Sequence, residues 1–235
     1  MVHVLDILQE RGLWEGGTPI EETRRALEVP SALYCGFDPT ADSLHVGSLV
    51  PLVGLKWFEK CGHTPIAVVG GATGMIGDPS GKAKERQLLD EQTLASNLLG
   101  IRKDIEAFLS SPIILNNLDW FRHFSCIAFL RDIGKMFRMG PMLAKESVRV
   151  RLESEEGMSF TEFSYQLLQG YDFLHLFAQH GVILQLGGSD QWGNIVAGID
   201  LIRKVHGKSA FGITFPLLTK SDGQKFGKSE QGTIW

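Results

Sequence analysis

Ala32-Leu-Tyr-Cys-Gly-Phe37 and Thr64-Pro-Ile-Ala-Val-Val-Gly70 are the two stretches that decide the fold. Each is a short apolar run of strand length, bounded by turn residues. Pro39 closes the first. Between them, from about Leu44 to Lys60, apolar residues recur at helical spacing. Val46, Leu49, Val50, Val53 and Trp57 are expected on one face, with Gly62 as the stop. Pro51 lies past the first turn, removes a backbone hydrogen bond and is expected to bend this helix. Strand, turn, helix and strand at this spacing predict a right-handed βαβ unit, and hence a parallel sheet.

The alternation continues outward. Gly70 to Gly81 is glycine-rich and carries Asp78, and a helical pattern resumes near Leu94 and ends by Pro112. Residues 113–118 and 182–187 read as strands. Residues 160–180 read as a helix, as does the stretch from the Gly187–Gln191 turn toward Val205. From Trp120 to about Glu156 the pattern is helical and mixed in charge, with Lys145, Arg149 and Arg151 grouped. The N-terminus reads as an amphipathic helix ending near Gly12. The predicted fold is α/β: a Rossmann-like parallel sheet with helices on both faces and a helical insertion between its halves. The whole chain reads as one domain. Residues 1–30 form a helical segment, 31–118 the first half, 119–156 the insertion and 157–235 the second half.

Bulk properties narrow the function classes. A net charge of −4 gives no global basic field for nucleic acid, although a local patch remains open. Cys35, Cys61 and Cys126 show no paired spacing, which disfavours a disulfide framework or a zinc site and favours a reducing, cytoplasmic location. No apolar run approaches the ~20 residues of a membrane span, and the first residues lack a basic signal-peptide region.

Several constellations could carry chemistry. Asp38-Pro-Thr-Ala-Asp-Ser-Leu-His45-Val-Gly-Ser48 sits where a strand turns into a helix. Helix-start N–H groups, Thr40, His45 and the close backbone approach allowed by Gly47 suit phosphate oxygens. The plainer reading is that Asp42 or Ser43 caps the helix and His45 is a surface residue. Gly77-Asp-Pro-Ser-Gly-Lys82 resembles a Walker A loop, but Ile76 stands where glycine is needed and Ala83 where a hydroxyl is needed. That loop still offers Lys82, Lys84 and Arg86, either as ligand cations or as a solvated loop. Tyr165, Gln169 and Asp172 share one helix face, with Leu167, Tyr171 and Leu174 opposite. They form either a binding site for the polar ends of an amino acid or a solvent-facing stripe. Gly187-Gly188-Ser189-Asp190-Gln191 suits a nucleotide at a strand end, or a plain tight turn. Lys225-Phe226-Gly227-Lys228-Ser229 adds two lysines and a hydroxyl for polyphosphate.

In this order and spacing, these motifs closely resemble the catalytic domain of the bacterial-type tyrosyl-tRNA synthetase family of class I. His45-Val46-Gly47-Ser48 stands at the His-x-Gly-His signature and Lys225–Ser229 at the lysine–serine loop. The resemblance implies ATP-dependent activation of L-tyrosine, with Mg2+ on the phosphates, no protein-held metal, and transfer to tRNA(Tyr). It implies that Tyr34 and Asp172 bind the tyrosine hydroxyl. Asp78, Tyr165 and Gln169 would hold the ammonium, with Gln191 near the carboxylate. Gly36, Asp38, Gly47, Ser48, Gly188 and Asp190 would line the ATP site. Thr40 and His45 would grip the terminal phosphates, and Lys82, Arg86, Lys225, Lys228 and Ser229 would close over pyrophosphate. Ser48 replaces the second signature histidine; its hydroxyl still donates, so tuned rather than lost activity is expected. The insertion resembles the family's dimer-forming and acceptor-stem region, implying a homodimer. The anticodon-recognition region of the family is expected to be absent from this chain, which leaves tRNA contact by this piece open. A tryptophanyl relative and a non-catalytic RNA-binding relative are the rivals. Tyr34 with Asp172 argues against the first, and His45, Lys225 and Lys228 against the second.

Overall fold

The computed structural model describes residues 2–80, 88–155 and 157–219. In chain order its elements begin with α1 (Val4–Glu10), β1 (Gly16–Gly17), α2 (Ile20–Ala26), β2 (Ala32–Phe37), α3 (Val46–Lys60) and β3 (Thr64–Val69). Then come α4 (Thr73–Ile76), α5 (Glu91–Phe108), β4 (Ile113–Asn116), α6 (Leu118–Phe121), α7 (Cys126–Asp132), α8 (Met139–Leu143) and α9 (Glu146–Leu152). The last are α10 (Phe160–His180), β5 (Val182–Gly188), α11 (Trp192–His206) and β6 (Phe211–Phe215). Over the described residues the strands form one sheet in the order β1-β6-β5-β2-β3-β4. All pairs are parallel except β1 with β6.

Period-two alternation along the strands feeds two cores. Leu33, Cys35, Phe37, Ala67 and Val69 join Leu52, Leu55, Phe58, Ile101 and Ile105 on one face of the sheet. Tyr34, Ile66 and Val68 join Phe173, Leu174, Leu201 and Ile202 on the other. A sheet buried on both faces explains why β2 and β3 read as continuous apolar runs. Helices α10 and α11 approach closely, since a Cβ at Gly198 would lie 2.9 Å from Phe173. Both helices end on left-handed glycines, Gly181 at φ 64° and Gly207 at φ 63°.

Two expectations need correcting, the buried face of α3 and the make-up of residues 1–30. The buried side of α3 is Leu52, Gly54, Leu55 and Phe58, while Leu49 is 46% exposed. The apolar spacing misled because the first half of α3 lines a cleft and Trp57 carries Arg11 and Lys60 over its ring. Pro51 lies inside this helix. Residues 1–30 are not purely helical, because Gly16 and Gly17 pair with Thr214 and Ile213 of β6. Between β4 and α10 the helical pattern is broken into short pieces among the described residues, with Ser125 capping α7 and a 3-10 turn at Gly134–Met136.

One ion pair ties this segment to α10. Arg151 and Glu162 are each 2% exposed and bond in bidentate fashion at 2.7 and 2.8 Å. Glu162 lies in the first turn of α10, where Ser159 caps its N–H. Removing one partner strands a buried charge. Glu162→Gln is therefore expected to lower the unfolding free energy by about 3–5 kcal/mol. An Arg151→Met/Glu162→Leu double variant should recover most of the loss; urea denaturation measures both.

Candidate active site

Helix α3 begins against the loop that leaves β2. His45 is its N-cap, and its Nδ1 accepts from the Gly47 N–H at 3.0 Å. Neither Asp42 nor Ser43 takes that role. A neutral imidazole that accepts at Nδ1 carries its proton on Nε2, so the far side of the ring is a donor. Together with the N–H groups of the first turn, this makes a place for negative charge at the mouth of the sheet.

Three carboxylates lie deeper. Asp38 accepts from the Thr73 hydroxyl at 2.7 Å on one oxygen and from the Tyr165 hydroxyl at 2.7 Å on the other. A Cβ at Gly70 would collide with Asp38, so glycine is required where β3 ends. Asp78 accepts from the Ser80 N–H at 3.0 Å and from Gln191 Nε2 at 2.7 Å. Asn194 joins this group by donating to Gln169 Oε1 at 3.0 Å. Asp172 accepts from Asn117 Nδ2 at 3.1 Å and Trp120 Nε1 at 2.8 Å. Burial pushes its carboxyl up to about 8, with the Asp38 charge adding and the two donors opposing. Burial and the Asp172 charge likewise hold Tyr34 well above the usual phenol range, and among the described residues its hydroxyl has no hydrogen-bond partner. Burial, then the charges of Asp38 and Asp78, raise Tyr165.

These groups converge on one cleft of about 420 Å³ at the carboxyl ends of β2 and β5. Tyr34, Gly36, Asp38, Thr40, His45, Gly47, Ser48, Asp78, Tyr165, Gln169, Asp172, Gly188, Asp190 and Gln191 all line it. Tyr165 and Asp172 are 5% and 4% exposed, which excludes a solvent-facing stripe. Lys82, Arg86, Lys225, Lys228 and Ser229 lie outside the described residues.

Sequence reasoning missed the residues that hold the acids. Asn117 is buried, bonds Thr73 as well as Asp172, and accepts from the Ala72 N–H at 2.7 Å. It was read as the tail of a strand, but β4 ends at Asn116. No local sequence pattern marks Asn117, whose partners lie 44 and 55 positions away. Gln185 lines the floor with its Oε1 unpartnered. Among the described residues the buried Lys145 Nζ has no partner; burial lowers its ammonium to about 8 against the pull of Asp78.

Comparisons with known proteins agree with this arrangement. The family model described as tRNA synthetases class I (W and Y) matches residues 26–235. The tyrosine–tRNA ligase of Protochlamydia amoebophila (strain UWE25) is 66% identical over 100% of this chain and 56% of its own length. The chloroplastic/mitochondrial tyrosine–tRNA ligase of Arabidopsis thaliana is 54% identical over 99% of this chain and 48% of its own. The chain thus spans about half the length of these curated relatives. The C-terminally truncated mitochondrial tyrosyl-tRNA synthetase of Coccidioides posadasii superposes with a TM-score of 0.82 at 31% identity, covering 96% of this chain and 70% of that one. Its counterpart from Aspergillus nidulans gives 0.84 at 30%, covering 97% and 72%. With the cleft, the family model and these relatives in agreement, the chain belongs to the class I tRNA synthetases of the tryptophan and tyrosine group, and within it to the tyrosyl-tRNA synthetases.

Proposed function

We propose that this protein is a tyrosine–tRNA ligase: it activates L-tyrosine with ATP to tyrosyl-adenylate, then transfers tyrosine to the 3′ end of tRNA(Tyr). The observation that carries the reading is the buried pair on the cleft floor, an unpartnered Tyr34 hydroxyl beside the Asp172 carboxyl. A ligand phenol between them would accept from one and donate to the other. Phenylalanine would leave both groups short of a partner in a dry site. An indole N–H can donate but not accept, so tryptophan would satisfy only half of the pair.

Asp78, Tyr165 and Gln169 take the substrate ammonium, with Gln191 near its carboxylate. Gly36, Asp38, Gly47, Ser48, Gly188 and Asp190 take the nucleoside end of ATP. Thr40 and His45 hold its terminal phosphates, and Mg2+ enters as part of that substrate. Lys82, Arg86, Lys225, Lys228 and Ser229 close over them. The tyrosine carboxylate oxygen bonds to the α-phosphorus while the bond to the bridging oxygen breaks, and pyrophosphate leaves with the electron pair. The nucleophile is already ionised, so no general base is needed; positioning and stabilisation of charge on the leaving group do the work. The 3′-terminal hydroxyl of the tRNA then attacks the adenylate carbonyl and AMP leaves.

Exposed Ile127, Leu130, Met139, Leu143 and Val150 support a homodimer formed through the insertion. The three free cysteines support a reducing, cytoplasmic setting. Among the described residues no helix is long and apolar enough to cross a membrane.

The protein is expected to catalyse ATP–pyrophosphate exchange with tyrosine; exchange driven by tryptophan instead would sink the assignment. Asp172→Ala is expected to abolish tyrosine binding in calorimetry while ATP binding survives. Equal loss of both would make Asp172 structural. The acidity of Asp172 gives a pH signature as well. Its folded value of about 8 lies above the ordinary 3.8, so its stabilising contribution is full below about pH 4 and is lost as pH rises through about 8. The stability of Asp172→Asn relative to the unaltered chain should therefore climb between about pH 4 and 8 and level off above. Urea melts across that range, without tyrosine, measure it; a flat difference would show that Asp172 ionises normally.

A further inference from the structure

The loop from β2 to α3, residues 38–45, carries Thr40 and His45 and has no helix or strand of its own. One stripe of α5 touches it at three successive places. Asn97, buried, donates from Nδ2 to the Pro39 carbonyl at 3.0 Å. At Gly100 a Cβ would overlap the Asp42 carbonyl oxygen, so the helix backbone itself lies against the loop. The Asp104 carboxylate accepts from the Leu44 N–H at 2.8 Å and from the Ser43 hydroxyl at 3.2 Å. Spacings of three and four put these positions in one row along the helix. One turn earlier, buried Leu94 and the Pro39 ring both come within 3.0 Å of where a Cβ on Gly74 would lie.

We propose that the Asn97–Gly100–Asp104 row of α5 is a clamp that positions Thr40 and His45 for the nucleotide phosphates, with Asp104 as its main positioning residue. The Asn97 and Asp104 side chains and Gly100 lie outside the cleft lining, so they act through the loop rather than on the ligand. Their contacts bracket both donors. Pro39 precedes Thr40, and Asp42 to Leu44 fill the gap before His45. Phosphate donors help only if held in place before the reaction, and a misplacement of about 1 Å costs about a hundredfold in rate. A turn held by its own capping bond alone, Gly47 N–H to His45, would fix the ring but not the path of residues 39–44.

The clamp rests on the reading of this cleft as a tyrosine-activating site. Its test is tyrosine-dependent ATP–pyrophosphate exchange run beside tyrosine calorimetry. Asp104→Ala is expected to lower kcat/KM for ATP by about ten- to a hundredfold and to leave the Kd for tyrosine unchanged. Asp104→Asn keeps an acceptor oxygen for both bonds and is expected to restore exchange. Wild-type exchange in Asp104→Ala overturns the clamp. So does parallel loss of tyrosine and ATP use, or an Asp104→Asn variant as impaired as alanine. Should Asp104→Ala not fold, Gly100→Ala tests the neighbouring contact of the same row, because its methyl fits only if the Asp42 carbonyl moves; unchanged exchange in that variant also overturns the clamp. Absence of tyrosine-dependent exchange in the unaltered protein overturns the functional reading beneath it, and is told apart because it needs no variant.

Discussion

Strands β2 and β5 lie side by side and parallel, yet their onward chains part: β2 leads to β3 on one side and β5 to β6 on the other. Every other feature of the site depends on this parting. Where two neighbouring strands send their connections apart, nothing crosses above their carboxyl ends, and a crevice opens there. The β2 end contributes the Asp38–His45 loop, and the β5 end contributes Gly187 to Gln191. Helix α10, packed on one face of the sheet, lays Tyr165, Gln169 and Asp172 along the wall.

Such a crevice concentrates acids in a poorly hydrated space, and these must be held. Asp38, Asp78 and Asp172 each take two donors, drawn from Thr73, Tyr165, Ser80, Gln191, Asn117 and Trp120. The donors come from α4, α6, α10 and connecting segments rather than from the strands. The groups left without a partner are informative for the same reason. Buried polar atoms are nearly always satisfied, so the idle Tyr34 hydroxyl and Gln185 oxygen mark where a polar ligand belongs.

Much of this was legible in the chain. The buried strands declared themselves as apolar runs, and β2 matches its predicted span, because parallel strands covered on both faces admit little else. Helix α10 matches its predicted span of residues 160–180. The site residues on α10 were legible as a face but not as a burial, since Tyr, Gln and Asp at helical spacing look the same wet or dry. The supporting residues were hidden for a related reason. Asn117, Thr73 and Asn194 matter through partners 25 to 55 positions away, and no local pattern records such pairings. In α3 the periodicity signal pointed the wrong way, because a helix that borders a cleft carries apolar residues for two different surroundings.

The small strand β1 has a consequence for the sheet as a material. Two residues, Gly16 and Gly17, cover the outer rim of β6, and a Cβ at Gly17 would press on the Gly212 carbonyl at 2.6 Å. An uncovered rim of that kind is a template for pairing with another molecule. Gly16 and Gly17 therefore guard that rim against self-association, and none of the first seventeen residues lines the cleft. A protein started downstream of them would lose this cover and, with Val4, Leu5 and Leu8, part of the core that includes the cleft residues Phe37, Leu186 and Phe215.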